Sequence, residues 1–201
     1  MPFFSEVPPP LTPEPVVAPV TRDVAELPPL GDVAPVLRAQ RRTRAARRAA
    51  HERRLAARVR FPVRGTARVD RAGAGAFGDH RGSHVHEGQD VFAPAGTPLV
   101  ALTDSVVLET GSGDGRGNFV ALYDRRRHRT LVYLHLQRPA SVRTGERLRA
   151  GERVGRVGCI GSCWGDHLHL EVRRGRSPQG EPLDPRPLLR RAARAPGRGT
   201  A

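Results

Sequence analysis

A chain of 201 residues is long enough for one domain with a substantial core and too short for two full ones. Aromatics make up only 4% while Gly (22) and Pro (19) are abundant, which favours a turn-rich β architecture over a helical bundle. Every one of the 34 basic residues is Arg, which excludes chemistry that needs a lysine amine, and the formal charge of +14 suggests an anionic partner such as nucleic acid, acidic lipid or wall polymer.

No stretch approaches the roughly 20 apolar residues that span a bilayer. The opening Met-Pro-Phe-Phe-Ser-Glu-Val-Pro-Pro-Pro lacks the basic and apolar regions of a secretory signal, so none is visible in this sequence. Residues 1–31 intersperse Pro with Val, Leu, Glu and Ala, a composition that predicts an extended spacer. Over 32–60, Asp32 can cap a helix with Pro35 in its first turn, running through Ala and Arg toward Arg60. Its arginines, Arg41 to Arg58, read either as an arm gripping anionic polymer or as a solvated helical linker.

After Phe61-Pro62-Val63 the chain turns to short β-branched runs between Gly turns, predicting an all-β body over 61–189. The candidate strands are Leu99 to Leu102, Ser105 to Glu109, Asn118 to Tyr123, Thr130 to Leu136, Arg153 to Val157 and His167 to Val172. A six-residue cadence, Thr-Gly-Glu-Arg-Leu-Arg then Ala-Gly-Glu-Arg-Val-Gly, predicts two tight turns at Gly145 and Gly151, each feeding a short strand. The run from Gly111 to Gly117 lacks a P-loop lysine and reads as a flexible loop. Residues 190–201, rich in Arg, Ala and Gly, read as a flexible basic tail.

Five of the eight histidines fall in three places. In His84-Val85-His86-Glu87-Gly88-Gln89-Asp90, a straight strand would hold positions 86 and 90 about 13 Å apart, too far for one ion, so the chain must bend, and Gly88 permits it. In Asp166-His167-Leu168-His169-Leu170-Glu171, a strand puts both imidazoles on one face about 6.6 Å apart, without saying whether one or both bind metal. His135 is a lone histidine in the apolar Tyr133-Leu134-His135-Leu136. Cys159 and Cys163, just before the histidine pair, can form a disulfide in an oxidising compartment or remain free thiols.

Taken together, these motifs resemble the lysostaphin-type (LytM-like, glycyl-glycine endopeptidase) zinc metallopeptidases. The resemblance runs from Phe61-Pro62-Val63 to Leu183-Asp184-Pro185 and includes His86-x-Gly88-x-Asp90, Ala93-Pro94-Ala95-Gly96-Thr97-Pro98, Tyr133-Leu134-His135-Leu136 and His167-Leu168-His169 followed by Glu171. It implies a compact antiparallel β-sheet barrel-sandwich of the duplicated hybrid motif type, with a substrate groove. It also implies one Zn²⁺ held by His86, Asp90 and His169, with His135 and His167 off the metal beside substrate. Three protein ligands leave a position for water, the arrangement of a catalytic zinc. Glu171 either orients a ligand histidine or sits as a charge on the outer strand face. Where the family usually has Phe and often Pro, this chain has Leu170 and Asp166.

The implied function is hydrolysis of peptide cross-links or stem peptides of bacterial peptidoglycan, in an extracellular, periplasmic or wall-associated setting. The alternative is a non-catalytic cell-wall or protein-binding module that keeps the fold. Nucleic-acid binding through the arginines lacks an aromatic-rich reading surface to match.

Overall fold

The computed structural model describes residues 33–56 and 59–195. The Pro-rich spacer, the Asp32 cap and the last residues of the basic tail lie outside them. The chain divides into two units, Met1–Thr43 and Arg44–Ala201. Of the first, the described residues are Val33 and the start of helix α1, Ala34–Ala56, which has no acidic residue in its first turn. Val36 and Leu37 are exposed, as are the arginines up to Arg48.

The second unit is built from strands. They are β1 (Arg68–Val69), β2 (His80–Arg81), β3 (His84–Val85), β4 (Gly88–Phe92), β5 (Pro98–Val100), β6 (Ser105–Gly113), β7 (Gly117–Asp124), β8 (Arg129–Leu136), β9 (Arg147–Leu148), β10 (Arg153–Arg156), β11 (His167–Arg174) and β12 (Pro182–Leu183), followed by helix α2 (Arg186–Arg194). The main sheet runs β1-β4-β11-β8-β7-β6-β9, with β12 beside β11, and every pair in it is antiparallel. Two-residue strands form its ends and no pair joins them among the described residues, so the sheet is open and the expected barrel closure is not found. Strands β5 and β10 form a second sheet, and β2 and β3 a hairpin.

Side-chain alternation explains the layers. Val91, Leu168, Leu170, Val172, Leu131, Tyr133, Val120 and Leu122 belong to one buried cluster with Leu99 of β5 and Val154 of β10. The Tyr133 hydroxyl ties the two sheets: it accepts from the Leu102 N–H at 2.9 Å and donates to the Val100 carbonyl at 3.1 Å. The intervening positions face the other way, where Phe119, Ala121, Val132 and Leu134 make a smaller cluster. The histidine-bearing positions of β11 belong to that second face.

Three expectations need correction. Composition predicts a flexible tail from residue 190, but α2 continues to Arg194 and Ala192 is buried with Leu188 and Leu189 in the main cluster. One apolar face outweighs a basic composition. The core also starts earlier than Phe61, since Val59 is fully buried and bridges to Thr103. The run from Gly111 to Gly117 is no free loop: its ends are strand residues of a β6–β7 hairpin, whose tip accepts the Ser162 N–H at the Gly115 carbonyl, 3.0 Å. The Gly145 and Gly151 turns stand as expected, both with positive φ (87° and 98°) and both closed by the glutamate that follows, Glu146 on the Arg143 N–H and Glu152 on the Arg149 N–H.

Candidate metal centre

Register assembles the site. Strand β4 pairs with β11 so that Asp90 stands opposite His169, Gly88 opposite Glu171, and Phe92 opposite His167. On the other side His169 faces Leu134 of β8. His86 enters just before β4, its backbone N–H held by the Asp79 carbonyl at 2.8 Å and its carbonyl by the Gly78 N–H at 2.9 Å. All of His86, Asp90, His135, His167 and His169 are buried.

His135 reaches this face through a local exception. By strict alternation it follows Leu134 and belongs to the core side. Between Asn118–Leu136 and Val120–Tyr133 the register shifts, with one extra residue on β8, and His135 takes a left-handed φ of 62°. This bulge turns its ring to 5.1 Å from that of His167 and 5.8 Å from that of His169. A non-glycine residue in this region stores on the order of 1–3 kcal/mol, a cost typical of functional positions.

Three donor atoms converge. His86 Nε2 is 2.9 Å from His169 Nδ1 and 3.3 Å from Asp90 Oδ1, and His169 Nδ1 is 2.9 Å from Asp90 Oδ1. Bonds of about 2.0–2.1 Å to a tetrahedral ion imply donor separations of about 3.3 Å, so this triangle is slightly contracted but correctly sized. The outer atoms are all engaged elsewhere. His86 Nδ1 donates to the Ala76 carbonyl at 2.8 Å, Arg81 donates to Asp90 Oδ2 at 3.1 Å, and His169 Nε2 stands 3.5 Å from Glu171 Oε1.

A carbonyl can only accept, so His86 must carry its proton on Nδ1, and Glu171 draws the His169 proton to Nε2. Two imidazole lone pairs and a carboxylate oxygen are then aimed at one another at hydrogen-bond distance. Such a group is stable only with a proton or cation between them. In the metal-free chain burial alone would lower the His169 pKa, but the bonds to Asp90 and Glu171 outweigh it and the pKa rises. Burial would raise that of Asp90, yet the His169 and His86 contacts hold it well below the usual carboxylate range. The residues fit a metal ion: His86, Asp90 and His169 form one candidate group. A second, His135, His167 and His169, shares His169 but contains no carboxylate.

His135 and His167 are oriented from one loop. His135 Nδ1 meets the Ile160 carbonyl at 2.9 Å and His167 Nδ1 the Gly165 carbonyl at 2.8 Å, while His167 Nε2 lies 3.5 Å from Asp90 Oδ1. Burial lowers the His135 pKa, against the Ile160 contact, so the neutral ring is favoured. Cys159 and Cys163 are joined as a disulfide with Cα atoms 5.3 Å apart, in the loop carrying Ile160 and leading to Gly165.

Glu171 is 7% exposed, which excludes the outer-face alternative. It also receives Arg173 Nε at 2.8 Å, and Arg173 reaches Glu87 at 2.8 Å. Burial would raise the Glu171 pKa, but His169 and Arg173 bring it below its ordinary value. Sequence reasoning missed Arg173 and Arg81. Arg173 was discoverable, since residues 167, 169, 171 and 173 share one strand face; Arg81 carried no signal among so many arginines. His80 and His84 lie exposed on the β2–β3 hairpin, outside the cluster.

A mostly antiparallel β fold presenting one carboxylate and two imidazoles around a common point, with two further imidazoles beside it, defines a class: a β-sheet domain with a metal-competent centre. The profile of Peptidase family M23 matches residues 84–185, just over half of the chain, and the chain belongs to that family, as a member of its lysostaphin type. Peptidoglycan DD-endopeptidase ShyC of Vibrio cholerae is 42% identical over 87 residues, 43% of this chain and 20% of that protein. Glycyl-glycine endopeptidase ALE-1 of Staphylococcus capitis is 32% identical over 108 residues, 53% of this chain and 30% of that protein. The catalytic domain of the antimicrobial peptidase lysostaphin from Staphylococcus simulans superposes with a TM-score of 0.54 at 28% identity, covering 59% of this chain and 90% of that one. The chain thus spans less than a third of the length of either of these curated relatives.

Proposed function

We propose that the chain is a zinc-dependent endopeptidase that hydrolyses an amide in the peptide part of bacterial peptidoglycan. The observation that carries this reading is the convergence of three acceptor atoms, His86 Nε2, Asp90 Oδ1 and His169 Nδ1, within 3.3 Å of one another. Two nitrogens and one carboxylate oxygen form a donor set suited to zinc, with one tetrahedral position left open. When bound there, zinc supplies Lewis acidity toward the scissile carbonyl and lowers the pKa of water at the site.

The chain's own groups do the rest. Arg81 and Glu171 hold Asp90 and His169 in place by their outer atoms. His135 and His167, each with Nδ1 tied to a carbonyl, have Nε2 as the atom that acts on substrate. One accepts a proton from the attacking water; the pair then steadies the oxyanion and returns a proton to the leaving amine. Burial of both rings keeps bulk water from competing for these contacts.

The substrate class rests on the relatives, whose names cover both a DD-endopeptidase and a glycyl-glycine endopeptidase. Action on the wall implies a location outside the cytoplasmic membrane, and no helix among the described residues is long and apolar enough to cross one. The test is digestion of purified peptidoglycans of direct and glycine-bridged type, with and without chelator, with mass spectrometry of the newly exposed amines. Chelator-sensitive release from one type supports the reading and identifies the bond. Full zinc occupancy with no cleavage of either would replace it with a non-catalytic wall-binding module.

A further inference from the structure

Away from the metal centre, a cavity of about 500 Å³ is lined by Val106, Tyr123, Arg125, His128, Gly145, Arg147 and Arg176. The sheet register builds it. Val106 of β6 pairs with Tyr123 of β7 on one side and with Arg147 of β9 on the other, so these three side chains form a row across one face. Arg125 and His128 come from the β7–β8 turn, and Arg176 from the chain just past β11, held close by the Gly175 N–H on the His128 carbonyl at 2.9 Å. From His169 to the end of β11 at Arg174 is about 17 Å of strand, so this is a second site and no extension of the first.

Its chemistry is one-signed. No acidic residue lines the cavity. The acids nearby are already engaged: Asp124 by Arg127 at 2.6 Å and by two backbone N–H groups, Glu181 by Arg174 at 2.6 Å, and Glu146 by the Arg143 N–H at 2.9 Å. Among the described residues none of Arg125, Arg147 and Arg176 is paired with a carboxylate; Arg176 instead lies 5.8 Å from the centre of the Tyr123 ring, whose hydroxyl is 3.3 Å from His128 Nδ1.

We propose that this cavity binds a phosphate group, with Arg125, Arg147 and Arg176 as its charge partners and Tyr123 and His128 as hydrogen-bonding partners. A carboxylate is satisfied by one forked guanidinium, whereas three exposed arginines lining one cavity from separate segments match the distributed oxygens and higher charge of phosphate. The half-buried floor of Val106 and Tyr123 leaves room for a small organic substituent, which favours an ester over the free ion. Nucleic acid is disfavoured because Tyr123 is the only Phe, Tyr or Trp lining the cavity and Arg176 lies against it, leaving no run of rings on which successive bases could stack.

The test is titration of the ¹⁵N-labelled full chain with inorganic phosphate and with glycerol 3-phosphate, following the amides of Tyr123, Arg147 and Arg176. Saturable shifts are expected, tighter for glycerol 3-phosphate if an ester is the ligand and equal for the two probes if the free ion is. Arg147→Gln with Arg176→Gln should weaken binding at least about tenfold, and Arg125→Gln alone should weaken it measurably. Arg153→Gln with Arg194→Gln, an equal loss of charge elsewhere, should leave it within about twofold. Equal weakening by both pairs, or no saturable shift with either probe, overturns the proposal. So does displacement of both probes by a single-stranded oligonucleotide at these amides.

Discussion

Gly88 lies hard against the imidazole of His169: a Cβ on Gly88 would stand 2.5 Å from Cε1 of that ring and nearer still to Nε2. The backbone there is not left-handed, so the glycine serves clearance on the strand, whereas the spacing of His86 and Asp90 predicts a bend. Gly88→Ala should push His169 out of the donor triangle. We expect zinc affinity to fall about 10–100-fold, the range for losing the support of a ligand, with the sheet intact by circular dichroism. Unchanged affinity in a zinc titration would rule out the clearance role.

The proposed division of labour among the histidines separates metal loss from rate loss. His169→Ala should lose zinc and activity together. His135→Ala should keep zinc and lose roughly 10²–10⁴ in rate, because it removes a proton-transfer group without touching the donor triangle. Metal analysis beside kcat on the same preparations checks both, and full zinc occupancy in the His169 variant would refute the ligand assignment.

Removing the ion should cost stability as well as activity. In the metal-free chain His86, Asp90 and His169 face one another with a proton as the only available bridge. Binding to the folded state alone stabilises it by about 4 kcal/mol when zinc is a thousandfold above its dissociation constant. Thermal unfolding with and without chelator should therefore give a clearly lower Tm without metal, restored by added zinc. Identical transitions would argue against a bound ion.

The disulfide belongs to the loop that aims His135 and His167. Cys159→Ser with Cys163→Ser should lower kcat while leaving zinc content unchanged. The stability loss should be no more than about 2 kcal/mol, since so short a ring restrains little of the unfolded chain. A wild-type kcat in the double variant would show that the loop holds its carbonyls unaided.

Tyr133→Phe isolates the link between the two sheets. Burial pushes the phenol pKa up, so the hydroxyl stays neutral and can donate to Val100 while accepting from Leu102. Its loss leaves a buried N–H and a buried carbonyl unmatched, at about 1–3 kcal/mol. Urea unfolding should register that decrease at unchanged zinc affinity.

Much of the site was legible because strand periodicity is local. His167 and His169, two residues apart, had to share a face, and the same rule places Glu171 and Arg173 beside them. Strand β4 was not recognised in Gly88–Phe92, since five residues containing Gly, Gln and Asp carry little β signal of their own. It forms because β1 and β11 flank it with matching registers. Helix α2 was similarly hidden: its composition reads as a basic tail, and its three buried positions emerge only against a core assembled elsewhere.

By itself the sequence determined the chemical inventory and the local geometry: which residues can donate to a metal, which of them share a strand face, and where glycine lets the chain turn. Tertiary structure alone decided how Asp90 comes opposite His169, which ring nitrogen each histidine turns inward, and that His135 leaves the core side through a bulge. The reason is physical. Alternation and turn preference are set by neighbouring residues, whereas register, tautomer and bulge depend on partners dozens of residues away, such as the Ala76 and Ile160 carbonyls.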